Sequence, residues 1–349
     1  MHPAYPPPPS SGSGVPALAP SPGTALPAVH GADVDAAPSA LEPALFELKK
    51  LIVGQDRLLE RLLVALLVGG HVIIEGVPGL AKTMTVKALA EVVSGTFGRI
   101  QFTPDLVPAD LVGTRVYHPG RAEFSVELGP VFVNLLLADE INRAPAKVQS
   151  ALLEVMQEHQ VTIGGRTFPV PDPFLVLATQ NPIEAEGTYP LPEAQLDRFL
   201  FKLSVPLPSR DEELGVLRNH HAGFDPRDLG AAGISAVAGA AELHAAREGT
   251  RRVQVADVVI SYIVDLGRAT RSAPSLELGA SPRGATALMS TAKAWAWLLG
   301  RDYVTPDDVK ALARPTLRHR VRLRPEAALE GVTVDAVLDS VLATVPTPR

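Results

Sequence analysis

The strongest constraint on this fold is the segment Gly76-Val77-Pro78-Gly79-Leu80-Ala81-Lys82-Thr83, set between a strand-like run and a helix-like one. His71-Val72-Ile73-Ile74-Glu75 precedes it, and Met84 to Val93 follows with apolar residues at helical spacing. A glycine-rich turn from strand into helix aims backbone N–H groups and the positive end of the helix dipole at an anion. Gly76 through Thr83, with Met84 behind them, therefore read as a phosphate cradle. Lys82 reaches the β- and γ-phosphates of a nucleotide, and the Thr83 hydroxyl ligates Mg²⁺. Ala81 stands where glycine usually precedes the lysine, so Ala81 is expected in a backbone conformation that an L-residue tolerates. An ordinary Gly-rich turn would give the same string, and further residues must decide.

Two later segments supply them. Leu135-Leu136-Leu137-Ala138-Asp139-Glu140 places two carboxylates after an apolar run, the position of ligands at the carboxyl end of a buried parallel strand. Neighbouring side chains on a strand point to opposite faces, so the two can take different tasks. Asp139 is expected in the Mg²⁺ shell, and Glu140 is expected to orient and polarise the attacking water. Asn181 follows the buried run Phe174 to Thr179 and is placed to hydrogen-bond both the water and the γ-phosphate. Together the three segments describe an ATP site.

In these motifs the chain resembles an AAA+ ATPase of the MoxR family over roughly residues 45–320. The resemblance rests on Val53-Gly54-Gln55, the loop ending in Ala81-Lys82-Thr83, and Asp139-Glu140-Ile141-Asn142-Arg143-Ala144-Pro145. It also rests on Gln149 to Glu154 and on Leu191-Pro192-Glu193-Ala194-Gln195-Leu196-Asp197-Arg198-Phe199. Ala146 and Val155 are small departures away from the chemistry. The resemblance implies an α/β fold: an AAA+ P-loop core with a parallel sheet and two β-hairpin insertions, followed by a small all-α lid domain. It implies that Gln55 lies near the adenine and that Arg198 is an arginine finger donated to a neighbour's γ-phosphate. By the same resemblance Arg283 is a lid-borne nucleotide sensor. Ser281 and Pro282 cap and open its helix, where an anionic phosphate would offset the conflict between a cation and the helix dipole. The alternatives are a surface arginine at 283 and a salt bridge from Arg198 to Asp197 or Glu193.

The organisation of the chain fits that outline. Residues 1–41 are rich in Pro, Ser, Gly and Ala, bury too little apolar surface to order, and are expected to be a disordered tail. The ATPase core is expected over 42–207 and the helical lid over 208–349. Leu58, Leu59, Leu62, Leu63, Leu66 and Leu67 mark one apolar helix face. Hairpins are expected around Pro119-Gly120 and Gly164-Gly165, and lid helices over roughly 255–271, 282–299 and 306–313. With no cysteine, disulfides and thiolate sites are excluded. A net charge of −6 opposes a protein built to coat nucleic acid, and no secretory leader or membrane span is visible. A cytoplasmic location is expected.

The leading functional reading is a Mg-dependent, ATP-hydrolysing chaperone that remodels, assembles or activates client proteins. A finger donated between subunits requires a ring, six subunits being the family expectation. The family also implies a separate von Willebrand factor A domain partner. Two alternatives stay open: a nucleic-acid-dependent motor, and a nucleotide-gated scaffold with little turnover. The basic run Arg318-His319-Arg320-Val321-Arg322-Leu323-Arg324 suits either nucleic acid or a packed lid end with solvated charges. Gln101 is a candidate for coupling partner binding to Glu140.

Overall fold

Strands apolar on both faces need cover on both sides, and three such runs, residues 72–74, 135–138 and 175–178, form the centre of a five-stranded parallel sheet. The computed structural model describes residues 42–76, 81–180, 188–225 and 233–348, so the Pro-rich tail, residues 77–80 and Asn181 lie outside the described residues. Helices α1 (Glu42–Lys49) and α2 (Asp56–Val68) lead into β1 (Val72–Glu75), followed by α3 (Lys82–Val92), β2 (Phe97–Gln101) and α4 (Pro108–Val112). A hairpin of β3 (Gly113–His118) and β4 (Glu123–Leu128) precedes β5 (Leu135–Asp139) and α5 (Ala146–Glu158). A second, β6 (Gln160–Ile163) and β7 (Arg166–Pro169), precedes β8 (Leu175–Gln180), α6 (Glu193–Leu196) and β9 (Phe201–Ser204). Then come α7 (Arg210–His221), α8 (Ala240–Arg252), α9 (Asp257–Ser272) and β10 (Leu276–Leu278). The chain closes with α10 (Pro282–Leu298), α11 (Pro306–Leu317), β11 (Arg322–Leu323), α12 (Pro325–Leu329) and α13 (Val334–Thr344).

The sheet order is β2-β5-β8-β1-β9, with every neighbouring pair parallel. Glu75 at the end of β1 stands beside Gln180 on one side and Ser204 on the other. Strand alternation sends Val72, Ile74, Leu135, Leu137, Leu175 and Leu177 to one face, where they share a core with α1, α2 and α3. That core runs on into the lid through Leu288, Trp297, Leu312 and Leu317. Ile73, Leu136, Ala138, Val176 and Ala178 face the other way, against α5 and the second hairpin. All described residues fall in one compact unit, and none of its helices is long and apolar enough to cross a membrane.

Both hairpins form where the turn residues place them, and Gly164 and Gly165 both take positive φ, as a tight two-residue turn requires. Helix α2 departs from the one-faced expectation. Besides its leucines, Arg61, Val64 and Ala65 are buried, because the helix is covered by the sheet on one side and the lid on the other. The lid is helical, with the addition of a short antiparallel ribbon of β10 and β11. Helix α11 continues to Leu317, past Pro315 in its interior, where the sequence suggests a stop. Pro315 has no N–H to give to the carbonyl four residues back, that of Ala311. Arg61 donates to that carbonyl instead, at 3.2 Å, while its guanidinium lies 4.7 Å from the centre of the Trp295 ring.

Candidate active site

The side expected to cradle phosphate is built by β1 and α3. Lys82 opens the helix, is half-buried, and donates to the Gly76 carbonyl at 2.7 Å. Burial pushes its ammonium pKa down, and the carboxylates of Asp139 and Glu140 oppose that shift. Thr83 and Met84 are half-buried in the same first turn, where backbone N–H groups have no partner within the helix. Ala81 corrects the expectation made for it. At φ 53 and ψ 21 it lies in the left-handed region, so alanine here carries strain that glycine would not. Gly54 has φ +75, and a Cβ there would meet the Glu212 side chain at 2.0 Å, so its glycine lets α7 close over the turn. Gln55, at the amino-terminal cap of α2, is half-buried beside it.

Asp139 and Glu140 sit beside this cradle at the carboxyl end of β5. They diverge by a different route from strand alternation: Glu140 has left the strand and takes φ 57, ψ 49. Its N–H donates to Thr179 Oγ1 at 2.9 Å, and that hydroxyl donates to Asp139 Oδ1 at 2.5 Å. One threonine thus ties the Asp139 carboxylate to the backbone of Glu140. Arg143 Nε stands 2.8 Å from Glu140 Oε2. Arg99 donates to Asp139 Oδ2 at 2.7 Å and to Gln101 Oε1 at 3.0 Å, so Gln101 connects to Asp139 rather than to Glu140. Thr179, Arg99 and Arg143 had no assigned role in the sequence. Arg143 lies three residues after Glu140, a spacing that could have flagged it, whereas Arg99 and Thr179 reach Asp139 only through strand register.

Arg198 and Arg283 lie elsewhere. With His71, Gly70 and Asp197 they line a cavity of about 340 Å³ at the amino ends of β1 and β9. That is the opposite end of the sheet from Lys82. Arg198 donates to the Leu153 carbonyl at 3.2 Å. The salt bridge weighed for it from sequence does not form, because Asp197 pairs with Arg320 at 2.7 Å and Glu193 with Arg322 at 2.7 Å. Arg283 Nε stands 3.9 Å from Asp197 Oδ2. The basic run is therefore largely paired rather than solvated. Arg318 bonds Asp335, Arg320 is buried, Arg322 meets Glu193 and Glu277, and Arg324 bonds the Pro274 carbonyl.

A parallel sheet with a lysine-headed helix after one strand and a paired acid after the next but one is the architecture of a P-loop ATPase. Comparison with known proteins narrows it. Residues 71–201 match the family model described as "ATPase family associated with various cellular activities (AAA)", and residues 268–341 match the AAA lid domain. Chaperone MoxR1 of Mycobacterium tuberculosis is 51% identical over 88% of this chain and 82% of its own length. Protein MoxR of Paracoccus denitrificans is 33% identical over 86% of this chain and 94% of its own. A crystal structure of a Cytophaga hutchinsonii protein superposes with a TM-score of 0.82 at 42% identity, covering 89% of this chain and 96% of that one. The chain belongs to the MoxR family of AAA+ ATPases.

Proposed function

We propose that this protein is a cytoplasmic, ring-forming ATPase chaperone that uses Mg-dependent ATP hydrolysis to remodel or activate client proteins, together with a separate von Willebrand factor A domain partner. The observation that carries the ring is the separation of the two halves of the machinery. Lys82, Asp139 and Glu140 cluster at the carboxyl ends of the strands, while Arg198 and Arg283 gather at the amino ends. Strands of this length span about 13 Å. Arginines beyond the far end serve a phosphate only if it belongs to an adjacent subunit. Repeated head-to-tail contacts of that kind close into rings, six subunits being our expectation.

The donor set fits the groups it would hold. Thr83 and Asp139 offer the oxygen ligands that Mg²⁺ prefers, and Lys82 stands at a helix amino terminus suited to phosphate. Bound there, the metal would neutralise charge between phosphate oxygens. Residues 76–83, with Met84 and Gln55, would hold the nucleotide. Glu140 would accept a hydrogen bond from the attacking water and Asn181 would orient it, while Arg198 and Arg283 of the next subunit would meet the charge that develops on the γ-phosphate. A nucleic-acid motor finds less support, because the one basic run is occupied by internal partners. The relative named as a chaperone supports the client reading.

The Glu140→Gln protein tests this. It should bind ATP as the wild type does and release phosphate about 10²-fold or more slowly. Recovered from its native cytoplasm with ATP, it should retain a protein client or a von Willebrand factor A protein. Nuclease-sensitive nucleic acid without a protein partner would overturn the chaperone reading, and unchanged phosphate release would overturn the role of Glu140.

A further inference from the structure

Arg320 lies just beyond α11, and its side chain is 3% exposed. A guanidinium carries five N–H donors in a rigid fork, and a buried one is stable only when they are used. Here all are. Nε donates to Asp197 Oδ1 at 2.7 Å. One terminal nitrogen donates to the Leu200 carbonyl at 3.1 Å and to that of Thr316. The other donates to the Phe199 carbonyl at 2.7 Å and the Asp197 carbonyl at 3.3 Å. Apart from Thr316, every acceptor belongs to residues 197–200, the segment that carries Arg198.

One lid side chain therefore grips the backbone on both sides of Arg198. It also fixes Asp197, whose second oxygen faces Arg283. An apolar residue could fill the same space and stabilise the lid as well. It could not hold the carbonyls at 197, 199 and 200 in one plane.

We propose that Arg320, acting with Asp197, is a positioning residue that aims Arg198 and Arg283 at the nucleotide phosphates of the adjacent subunit. The inference rests on the reading of those two arginines as donated between subunits, and it adds that the lid of the donating subunit sets their aim. The defect of an Arg320 variant must then appear at the neighbour's site and leave its own ATP binding intact.

Arg320→Lys keeps the charge but replaces the fork with a single nitrogen. We expect turnover to fall about 10²-fold, as for a misplacement near 1 Å, with KM and ATP affinity within about threefold of wild type. The deciding measurement is subunit mixing with the Lys82→Ala protein, whose cradle is disabled and whose Arg198 and Arg320 are intact. Each preparation alone turns over at about a hundredth of wild type or less. In an equimolar mixture, about a quarter of the interfaces join an intact cradle to an intact arginine donor, so turnover should recover toward a quarter of wild type. No recovery beyond the sum of the separate preparations would overturn the proposal.

Arg198→Ala mixed with Lys82→Ala separates the two readings. Recovery there without recovery for Arg320→Lys removes only the role of Arg320. Failure of both removes the donated arginines as well. Should Arg320→Lys not fold, Asp197→Asn, which keeps the backbone contacts and loses the ion pair, carries the same mixing test to the same two outcomes.

Discussion

His71, at the amino end of the strand that leads to the phosphate cradle, makes stability depend on pH in a calculable way. Its ring is buried, with Nε2 2.9 Å from the Met156 carbonyl and Nδ1 3.0 Å from the Val176 N–H. A carbonyl only accepts and an N–H only donates, so Nε2 carries the proton and Nδ1 is the acceptor. The imidazole is held neutral, and burial lowers its pKa from 6.5 to about 4, the Met156 bond opposing the shift and His159 adding to it. A folded-state pKa below the unfolded one means that the unfolded chain binds more protons between those values. Stability is full above pH 6.5 and is lost as pH falls towards 4. The difference corresponds to about 3 kcal/mol at pH 4. His71→Gln removes this titration, so its destabilisation relative to wild type should shrink by about 3 kcal/mol between pH 8 and pH 4. Urea unfolding of both proteins at the two pH values measures it, and the subtraction cancels the carboxylates they share. A destabilisation that is the same at both pH values would show that His71 protonates equally in the folded and unfolded chains, and would refute the buried neutral assignment.

Two further changes test the local physics. Ala81→Gly should stabilise the protein by about 0.5–1 kcal/mol, because relief of the left-handed backbone outweighs the added unfolded-state entropy; a loss of about 1 kcal/mol in urea unfolding would contradict its φ. Arg61→Met should cost about 2 kcal/mol by leaving the Ala311 carbonyl without a donor, and about 1 kcal/mol less in a Pro315→Ala background, where residue 315 regains its N–H. Equal costs in the two backgrounds would show that Arg61 does not serve that carbonyl.

The strand-to-helix junction at Lys82 and the acidic end of β5 were legible because their pattern is local. A glycine-rich turn between an apolar run and an amphipathic one marks a strand-to-helix junction, and Asp139-Glu140 closes a run whose residues Leu135 to Ala138 are all 0% exposed. What the sequence hid depends on partners far along the chain. Pro315 reads as a helix stop until Arg61, 250 residues before Ala311, supplies the missing donor. The run 318–324 reads as solvated charge until the loop at 197–200 arrives to receive Arg320. Glu140 reads as a strand residue, and only its positive φ shows that the chain turns there. Thr179 reads as one more buried strand position, yet its register beside Asp139 makes it the hydroxyl that joins the Asp139 carboxylate to the Glu140 backbone N–H.

The same contacts bear on how one site could influence the next. The lid shares a continuous apolar core with α2 and one face of the sheet, so a lid free to swing would have to break packing at Leu288, Trp297 and Leu312. Interiors packed in this way respond as units rather than deforming continuously. Arg283 on the lid and Arg198 on the core are joined through Asp197 and Arg320, so the packing favours their moving as parts of one body. That body also holds Lys82 at its opposite end, with β1 running between: His71 accepts from the Leu200 N–H at 2.7 Å at one end, and Glu75 pairs with Lys202 at 2.6 Å near the other. Under the proposed function, a displacement of β1 caused by nucleotide at the carboxyl end would be delivered through these contacts to the segment that presents Arg198. In the proposed ring, a subunit built like this would report its own site to its neighbour through the sheet itself, with no hinge between core and lid required.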